Sequence, residues 1–202
     1  MAITLHKRDL PDGLLFGDIV AIDTETMGLD PHRDRLCLVQ LSRGDGDAHL
    51  VQFTTAYDAP NLTGLLTDPT ITKLFHYGRF DIAMFDKYLG VLTAPVYCTK
   101  IASRLTRTYT DRHGLRDICR ELLDVDISKH QQTSDWGAAN LTEEQLAYAA
   151  SDVLHLHRLK EIFDALLERE GRREIAEACF RFLPTRARLD LLGWDQEEIF
   201  AH

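Results

Sequence analysis

Ile19-Val20-Ala21-Ile22-Asp23-Thr24-Glu25-Thr26-Met27-Gly28-Leu29 is the stretch from which the rest of the chain can be read. It opens with apolar, partly β-branched residues, the pattern of a buried strand. Two acids, Asp23 and Glu25, then follow one residue apart. Side chains alternate faces along a strand, so both carboxylates point the same way. Like charges side by side at the end of a buried strand repel, and a hard divalent cation with oxygen ligands relieves that repulsion. A lone D-x-E also occurs at ordinary exposed strand ends, so the pair is informative only if distant segments supply partners.

The neighbouring segments fall into order around this strand, placed over residues 19–23. Residues 3–18 read as an irregular lead-in with a turn at Pro11-Asp12-Gly13. Strands are predicted over 36–41 and 49–53, joined by the hairpin signal Gly44-Asp45-Gly46-Asp47. Three strands with short connections suggest an antiparallel meander. A short helix follows over 61–66, with Asn61 as its cap. A strand over 70–75 leads into a helix over 82–89 that Gly90 ends. A short strand over 95–98 and helices over 99–105, 115–123 and 142–170 complete the body. The last helix carries apolar residues at helical spacing throughout, and Thr142-Glu143-Glu144-Gln145 opens it as a capping box with Leu141 facing Leu146. Strands first and helices afterwards predict a mixed α/β or α+β domain, a central sheet flanked by helices.

Residues 171–202 form an apolar tail containing Phe180, Phe182, Leu183, Leu192, Trp194, Ile199 and Phe200. It is too short for a domain of its own, so 1–202 is taken as a single domain with its core at about 15–170. The tail must pack on the body or on another subunit. The subunit is preferred, because so large an apolar patch is unusual on a monomer.

Composition sets limits. The chain has 202 residues, 45% of them hydrophobic, and a formal net charge of -9. No apolar run is long enough to span a bilayer, and residues 1–12 lack the plan of a signal peptide. Cys37, Cys98, Cys119 and Cys179 form no C-x-x-C pair. That argues against a structural zinc and a disulfide framework, and a reducing cytoplasm fits. The acidic balance disfavours tracking along duplex nucleic acid, which needs a broad basic surface. Short pieces, or a local basic patch, remain compatible.

Two later acids meet the requirement for partners. Asp81 stands at the start of a predicted helix just after a strand, where the helix dipole favours an acid in any case. Asp152 lies in the apolar middle of the last helix, where a charge needs a reason. Tyr148 precedes it by four residues, one turn away on the same face. Small residues, Ala147, Ala149, Ala150 and Ser151, surround this pair. Four carboxylates from three segments can hold two divalent cations, an arrangement suited to phosphodiester cleavage.

These segments resemble the three motifs of the DEDD exonuclease superfamily, tyrosine subclass. Asp23-Thr24-Glu25 matches the first, His76-Tyr77-Gly78-Arg79-Phe80-Asp81 the second and Tyr148-Ala149-Ala150-Ser151-Asp152 the third. The resemblance is to the ribonuclease D-like group over the catalytic domain, about 15–170. Through 99–109 and Leu191-Leu192-Gly193-Trp194 it extends to the nano-RNase C family over the whole length. Where oligoribonuclease has a histidine five positions before the last acid, this chain has Ala147, so Tyr148 must take the part.

The resemblance implies a ribonuclease H-like fold and a metal-dependent 3′-to-5′ exoribonuclease. Its substrates would be very short oligoribonucleotides, dinucleotides above all, and its products nucleoside 5′-monophosphates. It implies two Mg²⁺ or Mn²⁺ ions held by Asp23, Glu25, Asp81 and Asp152, with Tyr148 orienting the attacking water. It also implies a homo-oligomer, an octameric ring. Thr24, Met27, Gly28 and Leu29 would grip the terminal nucleotide, with Leu29 either a wedge between bases or a plain core residue. His76 and Phe80 could stack on a base or pack beside the strand end, and for Phe80 packing is preferred. Trp136 is either a loop platform for stacking or a core residue.

Lys100, Arg104, Arg107, Arg112 and Arg116 form the one dense basic run, either a phosphate clamp or a solvated face. His155 and His157 fall on different faces of a helix and are not read as ligands. The competing readings are trimming of structured RNA in the manner of ribonuclease D, an RNA/DNA exonuclease with less sugar selectivity, and an inactive nucleic-acid-binding module.

Overall fold

The computed structural model describes residues 2–128, 130–197 and 199–201. Its strands are β1 (Ile3–Lys7), β2 (Ile19–Thr26), β3 (Leu36–Ser42), β4 (Ala48–Gln52), β5 (Thr72–Phe75) and β6 (Val96–Cys98). The helices are α1 (Pro60–Thr67), α2 (Arg79–Leu89), α3 (Thr99–Thr106), α4 (Leu115–Leu123), α5 (Glu143–Leu154), α6 (Leu156–Arg169) and α7 (Arg173–Leu189), followed by a π-helical turn at Asp190–Trp194.

The strands form one sheet in the order β1-β4-β3-β2-β5-β6. β2, β3 and β4 make the expected antiparallel meander, and β5 and β6 add to it in parallel. Every residue of β3 is buried, because helices cover both faces of the sheet. The main core gathers Val20, Ile22, Leu74, Phe85, Leu156 and Phe163. A smaller cluster of Leu38, Leu50, Trp136 and Ala149 lies where α5 crosses β2, β3 and β4.

Three expectations are corrected. Residues 3–7 are not irregular but form β1, an edge strand parallel to β4. Its partner lies about 45 residues away, a pairing that no local pattern announces. Asn61 does not cap α1. The helix starts at Pro60, and the Asp9 carboxylate accepts from the backbone N–H groups of Asn61 and Leu62 at 2.8 and 2.9 Å. The long last helix is two, separated by a turn at His155, whose φ of -103° and ψ of -6° depart from the regular helical values. Apolar spacing continues across the break, so periodicity cannot register it.

The tail divides. Ala176, Phe180, Leu183 and Ala187 of α7 are buried in the chain's own core. Beyond α7 the surface changes, and Leu192, Trp194, Ile199 and Phe200 are exposed. Asp190 is buried and ties the tail to the body. Arg79 of α2 donates to it at 2.5 and 2.7 Å and Arg186 at 2.7 Å.

Local chemistry behaves as read elsewhere. Gly90 ends α2 at φ 69°, a left-handed conformation that suits glycine. The Thr142–Gln145 capping box opens α5, with both reciprocal hydrogen bonds present.

Candidate active site

β2 carries Asp23 and Glu25 on the face that α5 crosses, and α5 brings Asp152 down onto them. One carboxylate oxygen from each of Asp23, Glu25 and Asp152 lies within 4.8 Å of the others. Asp81, in the first turn of α2, joins through a neighbour: the Thr24 hydroxyl donates to its Oδ1 at 2.5 Å. Thr24 thus acts from the opposite face of β2, as strand alternation requires.

The electrostatics follow from this crowding. Burial pushes the Glu25 carboxyl up to about 9, with Asp152 and Asp81 adding to the effect. Asp23 is raised well above the carboxylate range, by burial first and then by Asp81, Asp152 and Glu25. Asp152 is pushed up to about 7 by burial, against a hydrogen bond from Tyr148 that lowers it. Asp81 reaches about 7 by burial, against the Thr24 hydrogen bond. At 4.8 Å two ionised carboxylates repel by about 3.5 kcal/mol for an effective dielectric of about 20.

The charged groups acting on Asp23, Glu25 and Asp152 are all acids. An all-oxygen, anionic, converging donor set of this kind fits a hard divalent cation such as Mg²⁺ or Mn²⁺. Tyr148 is raised above its ordinary value by burial and then by Asp152, Glu25 and Asp23, so it is a neutral phenol that donates.

The expected substrate contacts sort differently. Leu29 is 86% exposed and Met27 50%, so neither is a core residue. Gly28 sits so close to the Asp34 carboxylate that an added Cβ would lie 2.2 Å from it, so any larger residue would have to displace that side chain. Trp136 goes the other way: it is buried against Leu38, Leu50 and Ala149, with its ring 6.0 Å from that of Tyr148, and is no exposed stacking platform. Phe80 is partly buried against the core. His76 hydrogen-bonds Thr99 Oγ1 at 2.9 Å, and burial lowers it to about 3, leaving a neutral imidazole.

The basic run divides as well. Arg107 is buried and committed to Glu121, the Ser103 hydroxyl and the Arg112 carbonyl. Arg116 pairs with Asp126 at 2.9 Å. A clamp of all five is therefore ruled out. Lys100 and Arg104 instead line a pocket of about 370 Å³ with Tyr77, Arg79, Ile101 and Leu183. Tyr77, left-handed at φ 67°, places its ring 3.8 Å under the Lys100 ammonium. Sequence reasoning passed over Tyr77 and Arg79 as pocket residues. Their one signal was membership of the second motif.

Comparison with known proteins agrees with this geometry. A family model described as a 3′-5′ exonuclease matches residues 9–168. Brucella melitensis NrnC with bound Mg²⁺ superposes with a TM-score of 0.96 at 59% identity over 100% of both chains. The same protein bound to pGG superposes at 0.97 with 60% identity, over 100% of this chain and 99% of that one. Ribonuclease D from Gluconacetobacter diazotrophicus is 36% identical over 153 residues, 76% of this chain and 39% of its own length. The chain spans about half or less of the length of the curated ribonuclease D relatives it matches. The mixed sheet with its flanking helices is thus the ribonuclease H-like fold of the DEDD exonucleases. The chain belongs to the 3′-5′ exonuclease family, in the branch that holds ribonuclease D and NrnC.

Proposed function

We propose that this chain is a metal-dependent exoribonuclease that degrades very short oligoribonucleotides, down to dinucleotides, from the 3′ end to nucleoside 5′-monophosphates. The observation that carries the length preference is the end-to-end match to NrnC, which has been solved with pGG, whereas ribonuclease D matches over a part of its length. The single-domain reading, a core at about 15–170 plus a tail, belongs to the same proposal.

Asp23, Glu25 and Asp152 would hold one divalent ion, and Asp81 with Asp23 a second. When bound, the ions supply the charge that makes a water nucleophilic at neutral pH and stabilises the leaving oxygen. Tyr148, a neutral donor steadied by Asp152, orients the attacking water and does not itself take the proton. Leu29 projects from the loop after β2 as a wedge against the terminal base, and Met27, Gly28 and the Thr24 backbone shape the seat around it. His76 offers a neutral ring at the strand end. Lys100 and Arg104 receive a phosphate in the pocket beside Tyr77. A homo-oligomer, an eight-membered ring, would cover the apolar surface of Leu192, Trp194, Ile199 and Phe200.

The test is a length series of 5′-labelled RNAs, from two to about twenty nucleotides to bracket single-site binding, incubated with Mg²⁺ or Mn²⁺. Rapid loss of the dinucleotide with slow loss of longer chains is expected. Preference for long structured RNA transfers the assignment to trimming of the ribonuclease D kind. Equal turnover of the matching DNA series removes the sugar selectivity. No cleavage at any length with either ion leaves a binding module.

A further inference from the structure

Gln40 lies on β3 directly opposite Asp23 on β2. Opposed residues of an antiparallel pair share a face, with Cβ atoms about 5 Å apart. Gln40 therefore stands on the Asp23 side of the sheet. Two of its other neighbours on β3 and β4 are polar but engaged elsewhere, Ser42 with the Asp47 carbonyl and Gln52 with Lys7 and the Ala138 carbonyl; the rest are apolar. Leu38 precedes it by two residues, and Leu50 faces it from β4; both pack with Trp136 and Ala149. The side chain is fully buried (0% exposed), and neither its amide nitrogen nor its oxygen has a hydrogen-bond partner among the described residues.

A buried amide group without a partner costs about 1–3 kcal/mol. Leucine or methionine would fill the same space without that cost, so packing does not explain a glutamine here. A buried polar group of this kind points to a functional role, completed by an ordered water. The polar group opposite Gln40 is the Asp23 carboxylate, crowded by Glu25 and Asp152 within 4.8 Å. An amide N–H suits that carboxylate. It donates a hydrogen bond, brings no charge and does not compete with a cation, as a lysine or arginine would.

We propose that Gln40 is a positioning residue for the cation site. Its amide N–H holds one oxygen of Asp23 through one buried water, leaving the other oxygen free for the ion. The inference rests on the reading of Asp23 as an ion ligand. Gln40 itself touches neither the substrate nor the ion. It acts through Asp23, as partners behind metal ligands commonly do.

Gln40→Met removes the amide at nearly constant length and volume. The full chain, freed of metal by chelation, is titrated with Mg²⁺ by calorimetry, and kcat and KM are measured on pGG. Mg²⁺ affinity and kcat should each fall about tenfold, the lower end for loss of a partner behind a metal ligand. KM should stay unchanged, and the ion-free melting temperature should hold or rise. Unchanged Mg²⁺ affinity and kcat would overturn the proposal. A fall in ion-free melting temperature that tracks the lost activity would also overturn it, by showing a packing role.

Gln40→Leu repeats the measurement at a different volume, and a loss in only one of the two variants would show that shape, not the amide, is responsible. Asp23→Asn runs alongside. If it keeps turnover, the ion-site assignment itself is wrong. If it abolishes turnover while Gln40→Met is silent, the role of Gln40 alone falls.

Discussion

Replacing Glu25 with glutamine should make the metal-free protein more stable and the enzyme less active. The Glu25 carboxyl is pushed from 4.5 up to about 9 in the fold. A group whose folded value lies above its unfolded value contributes stability that is complete below the unfolded value and lost as pH rises through the folded one. For Glu25 that window runs from about 4.5 to about 9. At pH 7 the fold must keep a proton that the unfolded chain has released. At about 1.36 kcal/mol per pH unit, over 2.5 units, this costs about 3 kcal/mol.

Glutamine needs no proton, so Glu25→Gln recovers that free energy at pH 7 and gains almost nothing at pH 4. In a chain of this size about 3 kcal/mol corresponds to roughly 6–12 °C in melting temperature. Saturating Mg²⁺ should reverse the order, because a ligand that binds only the folded state stabilises it by about 2.7 kcal/mol at a hundred times Kd, and the variant has lost a ligand's negative charge. Calorimetric melts in chelator and in Mg²⁺, at pH 4, 7 and 8 and one protein concentration, read all of this. An ion-free melting temperature at pH 7 that is equal to or below wild type would refute the reasoning. So would an advantage of the same size at pH 4.

Other perturbations separate the roles assigned above. Tyr148→Phe should lower kcat about a hundredfold, the scale of a lost proton-orienting group, with Mg²⁺ affinity by calorimetry unchanged. Asp190→Ala leaves Arg79 and Arg186 facing each other without their shared carboxylate. Breaking a buried ion cluster costs about 3 kcal/mol or more, whereas Arg188→Ala, whose pair with Asp86 is half exposed, should cost under about 1 kcal/mol; urea melts compare the two. Trp136→Ala should lose about 3–5 kcal/mol from the cluster beneath α5. Leu29→Ala should leave the melting temperature unchanged and raise KM on pGG, and the reverse pattern in these last two would show that their burial has been misread.

Much of the molecule was legible locally because its signals have short periods. The alternation of a strand aligned Asp23 with Glu25, and the helical turn aligned Tyr148 with Asp152. The glycine stop after α2 and the capping box of α5 each depend on residues within a few positions of one another, and the meander on strands joined by short connections. Where a feature depends on a remote partner, the local pattern failed. β1 pairs with β4 across the chain, Asp9 accepts from the first turn of a helix 52 residues ahead of it, and His155 interrupts a helix whose apolar spacing never falters.

The residues alone specify the chemistry expected of the site: four carboxylates and a tyrosine, in an order and spacing that match one exonuclease subclass. Which of their neighbours are exposed and which are buried or paired emerged only on folding. Leu29 and Trp136 are both large apolar loop residues, yet one is exposed and the other buried. Lys100 and Arg107 both belong to one basic run, yet one lines a pocket and the other is consumed by Glu121. Gln40 acquires meaning only from the strand laid beside it. The physical reason is that an acid's identity is written in its own side chain, whereas burial and pairing are properties of what the folded chain brings next to it.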